Sequence, residues 1–311
     1  MSDVWGDVVA RAAGLSTRLV GGDTLRTLAR SRDLPALFDA LERLAPEYLP
    51  AAERRAPSPP LVERAARRVT GARMAILARW CGARLARIAP IFEAEDHRSI
   101  RAALRGAAAG IAPDVRRAGL IATPSLPEAA LDELTQQPTT AAVAALLAAW
   151  EHPFASAILD EATREQPDLY VLEGRLDLRF TRRAEAVAYY AEAPFKDFVR
   201  VTLLAQRAWT AALADDPAAA LAALAAEMPT TPLGGLLARG AVPGAEALDR
   251  AALETQLVVQ RAHARRDPIG LGPLLYFVAR LRAEMRDLTR IAWGVALGMP
   301  SPALAAGVVA P

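Results

Sequence analysis

The sequence predicts an all-α protein built as three similar helical lobes in a pseudo-threefold arrangement, an open ring or funnel. Three observations predict it. Apolar residues recur at helical spacing, while few runs alternate with period two and β-branched residues are sparse. Proline and glycine cluster at a handful of places, Pro46–Pro60, Ile111–Pro127, Pro229–Gly244 and Asp267–Pro273, which read as connections between helices or lobes. One ordered succession of helices and corners occurs three times.

The succession opens with a capped helix. Asp33, with Pro35 in the first turn, precedes Leu34, Leu37, Phe38, Leu41 and Leu44 on one face. Thr139 stands in the same relation to Val143, Leu147 and Trp150, and Asp216-Pro217 to Leu221, Leu224 and Met228. A corner of proline beside an apolar residue follows each: Pro46-Glu47-Tyr48, Pro153-Phe154 and Pro232-Leu233. A second helix then begins with an apolar–glutamate pair, Val62-Glu63, Leu172-Glu173 and Leu253-Glu254.

A third, long helix closes each unit. Its segments are Asp96 to Arg105, Ala205 to Leu213 and Glu284 to Ile291, so the steps from glutamate to segment nearly agree (63 to 96, 173 to 205, 254 to 284). Leu25-x-x-Leu28 before the first unit recurs as Leu131-x-x-Leu134 before the second. The lobes are therefore drawn at 1–118, 119–214 and 215–311. Each is far longer than a short solenoid repeat, so each is a lobe in its own right.

Composition narrows the function classes. The chain has 311 residues, 53% of them hydrophobic but only 5% aromatic, so Ala, Leu and Val must build the core. Cys81 is the single cysteine, which excludes an intramolecular disulfide, and it falls within a helical apolar pattern as a core residue. His97, His152 and His263 are too far apart to suggest a metal site by spacing. Lys+Arg 37 against Asp+Glu 35 leaves +2, with Lys196 the only lysine and no asparagine at all, the imprint of a GC-rich genome. Arg64, Arg67, Arg68 and Arg73 are interrupted by alanines at helical spacing and read as a solvated face, so nucleic acid is not the expected partner.

Met1-Ser2-Asp3-Val4-Trp5 lacks the basic start and apolar stretch of a signal peptide. The uncharged tail from Ile291 to Pro311 is interrupted by Gly294, Gly298, Pro300, Pro302 and Gly307, so it reads as a helix end followed by a packed apolar segment and not as a span. No transmembrane segment and a soluble chain are expected.

No chemistry-bearing constellation stands out. There is no P-loop and no Gly-x-Ser-x-Gly elbow. Gly270-Leu271-Gly272-Pro273 has no strand before it and reads as the start of a helix. Asp96 and His97 are adjacent, and neighbours on a helix point in different directions, which makes a poor acid–base pair. The repeated Glu63, Glu173 and Glu254 fit capping or ion pairing between helices. The expectation is a non-catalytic protein with no cofactor, no metal and no small-molecule substrate. Arg282, Glu284, Arg286 and Arg290 make the most informative polar cluster, with Glu284 set between helices of the third lobe or paired with Arg280 on an exposed face.

The last forty-five residues carry a family likeness. Asp267 to Val278, Arg282 to Ile291 and Gly298-Met299-Pro300 resemble the C-terminal signature of the C-type subunit of prokaryotic V/A-type ATPases, a family that includes the d subunit of the eukaryotic vacuolar ATPase. Asp96-His97-Arg98-Ser99-Ile100 through Leu104-Arg105 resembles its first-lobe motif. The middle motif departs, with Ala205 and Ala208 at its acid and amide positions, and Leu213 runs almost straight into Asp216 without the usual glycine-rich turn. Asp287 and Ser99 stand where asparagine is usual.

The resemblance implies a three-lobed funnel acting as a rotor part, peripheral on the cytoplasmic face of the membrane. It would receive the central stalk (D- and F-type subunits) and sit on the proteolipid ring, coupling ATP synthesis or hydrolysis to proton or sodium transport. It also points to Arg282, Glu284, Arg286, Asp96 and Arg105 as structural or partner-interface residues. A helical-repeat scaffold for unrelated protein partners is the alternative.

Overall fold

A computed structural model describes residues 4–49, 57–212 and 214–311. Leu213, Met1-Ser2-Asp3 of the opening segment and part of the Pro46–Pro60 connection lie outside them. The described residues are helical, with no strand among them.

In chain order the helices are α1 (Gly6–Ser16), α2 (Gly22–Leu28), α3 (Leu34–Leu44), α4 (Pro59–Cys81), α5 (Ala89–Ala108) and α6 (Pro113–Ala118). Next come α7 (Glu128–Gln136), α8 (Thr140–Ala149), α9 (Ala155–Ala162), α10 (Leu169–Tyr189) and α11 (Ala193–Ala211). The last are α12 (Pro217–Ala225), α13 (Pro232–Leu237), α14 (Ala245–Arg266), α15 (Leu271–Ala296) and α16 (Ser301–Ala306). Short 3₁₀ helices cover Pro46–Tyr48 and Gly82–Ile88.

The three caps read from the sequence all form. The side chains of Asp33, Thr139 and Asp216 accept from the backbone N–H of Ala36, Ala142 and Ala219, which satisfies one orphan donor at the start of α3, α8 and α12. The corner residues are anchors: Tyr48, Phe154 and Leu233 are all buried. Cys81 is buried, as its pattern predicts. Two expectations need correction. Leu44, placed on the apolar face of α3, is exposed, because that face is already closed by Leu37, Phe38 and Leu41. Arg73 does not belong to a solvated face: it is 3% exposed, donates to the Tyr48 hydroxyl at 3.1 Å and pairs with Glu47. Its guanidinium also lies over the Tyr48 ring, and burial pushes its pKa down against the pull of Glu47.

Compactness groups the chain into two units. Unit 1 holds residues 1–30, 188–290 and 300–311. In it α11 packs on α14, α12 and α13 close the same core, and α16 packs on α2. Val201, Leu204, Ala208, Leu221, Leu233, Leu237 and Leu248 form that core. Gly272, at the start of α15, lies so close to the backbone of His263 and Ala264 that a Cβ there would clash. Asp267 caps the same turn by accepting from Gly270 N at 3.1 Å, which explains the glycine-rich start of the helix.

Unit 2 holds residues 31–187 and 291–299. Here α5 packs on α7 and α8, α8 on α9, and α6 on α4 and α7. No helix among the described residues is long and apolar enough to cross a membrane. The tail follows the sequence reading: α15 ends at Ala296, Gly298 turns the chain with positive φ, and α16 leads to a segment whose Leu304 and Ala310 are buried.

Candidate functional site

The polar groups singled out in the sequence fall on α5 and α15. Asp96 on α5 is fully buried. Both of its carboxylate oxygens are taken by the loop entering α7, one by the Thr123 hydroxyl and the other by the Ser125 hydroxyl. Thr123 Oγ1 in turn accepts from Leu126 N at 3.0 Å. His152 Nδ1 accepts from Phe154 N, so its Nε2–H faces Asp96 Oδ2 at 3.6 Å. Both hydroxyls donate to the carboxylate and neither to the imidazole, so the hydroxyl–base contact that nucleophilic catalysis uses is not made. Chemically the cluster is an anchor for a loop.

Glu284 occupies the matching place on α15. It is 1% exposed, and its Oε2 accepts from Val20 N at 2.7 Å in the loop entering α2. The exposed-face alternative is thereby excluded, and this oxygen holds the opening segment of the chain. Arg280 instead donates to Ser16 Oγ at 2.6 Å and lies over the Tyr276 ring.

The match extends along both segments at one constant offset of 188 residues (96 to 284, 110 to 298, 119 to 307). Helix α5 ends at Ala108 and α15 at Ala296; α6 starts at Pro113 and α16 at Ser301. Gly110 and Gly298 both turn the chain at positive φ, 64° and 68°. Gly119-Leu120-Ile121-Ala122 then corresponds to Gly307-Val308-Val309-Ala310. In both repeats a buried carboxylate on the long helix therefore holds the loop that leads to the next opening helix.

A second pair of contacts obeys the same rule. Glu173 accepts a two-pronged bond from Arg105, at 2.5 and 2.6 Å. Glu63 accepts from Trp293 Nε1 at 2.9 Å, and Trp293 is the residue equivalent to Arg105. Glu254 departs, pairing within its own helix with Arg250 at 3.3 Å. The position equivalent to the donor is Ala214. At the position that the sequence aligns with Asp96 and Glu284 stands Ala205, packed beside the apolar core, and α11 ends at Ala211 before α12 starts at Pro217.

Helix α5 also faces α10 through a ladder of charges at every fourth residue. Glu93 pairs with Arg183 at 2.5 Å, His97 Nε2 with Asp177 at 2.6 Å, Arg101 with Asp177, and Arg105 with Glu173. His97 stacks on Phe180 with ring centroids 5.2 Å apart. Burial lowers the His97 pKa, outweighing the bond to Asp177 that raises it. Burial pushes the Asp177 carboxyl up, but the His97 bond and the Arg101 charge together hold it below the usual range. Neither partner was visible in the sequence, because each pair joins residues some 80 positions apart.

Arg282 lies with its guanidinium over the Phe198 ring, 5.5 Å from the centroid. Arg286 reaches Asp287 at 3.0 Å and Gly307 O at 3.4 Å. Arg290 meets Glu246 at 3.1 Å. Asp287, which the sequence marked only as a departure, is buried and accepts from Val309 N at 2.8 Å and Ala310 N at 2.7 Å. Burial dominates its titration and raises its pKa despite these bonds and Arg286.

A cleft of about 300 Å³ in unit 2 is lined by Arg64, Arg67 and Arg68 of α4 and by Arg117, Glu128 and Asp132 opposite. Arg117 is held by both of those acids and Arg67 by Glu63. No group of three or more metal-ligating side chains occurs among the described residues. Compared with known family models and with curated proteins, the sequence matches none.

Proposed function

We propose that this chain is a non-catalytic rotor subunit of a rotary V/A-type ATPase. In this reading it is a socket for the central stalk, resting on the proteolipid ring at the cytoplasmic face of the membrane. The observation that carries the reading is the equivalence of Asp96 and Glu284, each a buried carboxylate holding the loop into the next opening helix. That equivalence supports a repeated helical unit, and hence the three lobes at 1–118, 119–214 and 215–311 and their funnel arrangement. The sequence resemblance of residues 267–300 supplies the family.

A socket that passes torque must keep its helices in register under load. Buried carboxylates that hold loops by directed hydrogen bonds serve that need better than exposed ion pairs, which contribute under ~1 kcal/mol each. The D- and F-type stalk subunits and the ring are the proposed partners. Deleting the gene in its host tests the proposal. ATP-driven proton or sodium transport by membrane vesicles should be lost and then restored by the wild-type gene. Unchanged transport would leave the scaffold reading in its place.

A further inference from the structure

In the first repeat, residues 119–122 run covalently on through Thr123 into α7. In the last repeat, the equivalent residues 307–310 reach α2 without a peptide bond linking the two. Gly22 N donates to Pro311 O at 2.9 Å, and α16 packs on α2. The approach is so close that a Cβ on Gly22 would run into the Ala310 carbonyl. Two buried carboxylates one helical turn apart on α15 hold both sides of this joint. Asp287 takes the N–H groups of Val309 and Ala310, while Glu284 takes that of Val20.

The segment up to residue 30 therefore belongs to unit 1, although the chain leaves for unit 2 at Ser31 through the exposed Arg30 and Arg32. We propose that residues 307–310 are a strap that closes the N-terminal arm, α1 and α2, onto α15, and that strap and arm open and close as one element. The joint is a repeat junction made of hydrogen bonds where the first repeat has a peptide bond. That makes it the place where the strap can part from the arm. The inference stands on the geometry of unit 1 alone, whichever partner the chain takes.

Native-state hydrogen exchange on the full chain tests it, with two variants that act on opposite sides of the joint. Asp287→Asn weakens the grip on the strap, and Gly22→Ala pushes the strap off the arm. Each variant should speed exchange at Val20, Leu25, Ala29, Val309 and Ala310 by the same factor, at least tenfold, and leave the amides of α11 unchanged. Acceleration confined to the side that carries the substitution would overturn the proposal, as would arm amides that exchange only together with α11. Should either variant fail to fold, the wild-type chain decides. Strap and arm amides must then show one common dependence of exchange on denaturant, and two different dependences would refute the coupling.

Discussion

At the residue scale, the weight rests on buried carboxylates whose partners are backbone amides and hydroxyls. Removing Glu284 leaves the Val20 N–H without its acceptor, a cost of about 1–3 kcal/mol for a buried donor. Glu284→Ala should lower the urea midpoint accordingly, whereas Arg250→Ala, which breaks a half-exposed pair within α14, should shift it by less than about 0.5 kcal/mol. Equal effects would return Glu284 to the surface role that its arginine-rich neighbourhood allowed.

Titration gives a second prediction. The His97 pKa is depressed in the folded chain, so its contribution to stability is fully present above its unfolded value near 6.5 and is lost as pH falls through the folded value. Asp177, also depressed, adds loss in the same direction at lower pH, below the ordinary aspartate range. Asp287 is raised and has the opposite sign: its contribution is present at low pH and declines as pH rises through its folded value. In thermal melts from pH 7 to 5 the His97 part lowers stability on acidification, so His97→Gln should make stability fall less than in the parent over that range. An equal fall in the variant would remove His97 from the account.

At the element scale, helix starts and corners were legible where their signals are local. A cap needs only a short polar side chain three residues before an N–H, so Asp33, Thr139 and Asp216 could each be read directly. The corner residues Tyr48, Phe154 and Leu233 were legible for the same reason. Cap removal tests their equivalence: Asp33→Ala, Thr139→Ala and Asp216→Ala should each cost about 1 kcal/mol in chemical denaturation. A negligible loss at one of them would show that its helix start is held by tertiary packing.

What stayed hidden is long in sequence separation. Glu284 meets Val20 across 264 residues, and nothing near either residue announces the other. Arg73 misled because alanine spacing around an arginine looks the same whether the guanidinium meets water or Glu47 and Tyr48. The correspondence of residues 110–122 with 298–310 was missed because few of its letters agree. It emerges from the positive φ of Gly110 and Gly298 and from matching helix ends.

At the scale of the whole molecule, two loops far apart in sequence are each fixed by a buried carboxylate, Asp96 in one case and Glu284 in the other. Ala205 on α11 packs instead beside an apolar core. Buried carboxylates are tolerated at these two places because each has hydrogen-bond donors to satisfy it. A socket between a stalk and a ring is the use we propose for such a body, and binding is its most direct test. Purified chain should sediment with detergent-solubilised proteolipid rings and should then recruit the D- and F-type stalk subunits in stoichiometric amount, with Glu284→Ala weakening stalk capture. A chain that binds neither ring nor stalk under conditions where it is folded would contradict the account.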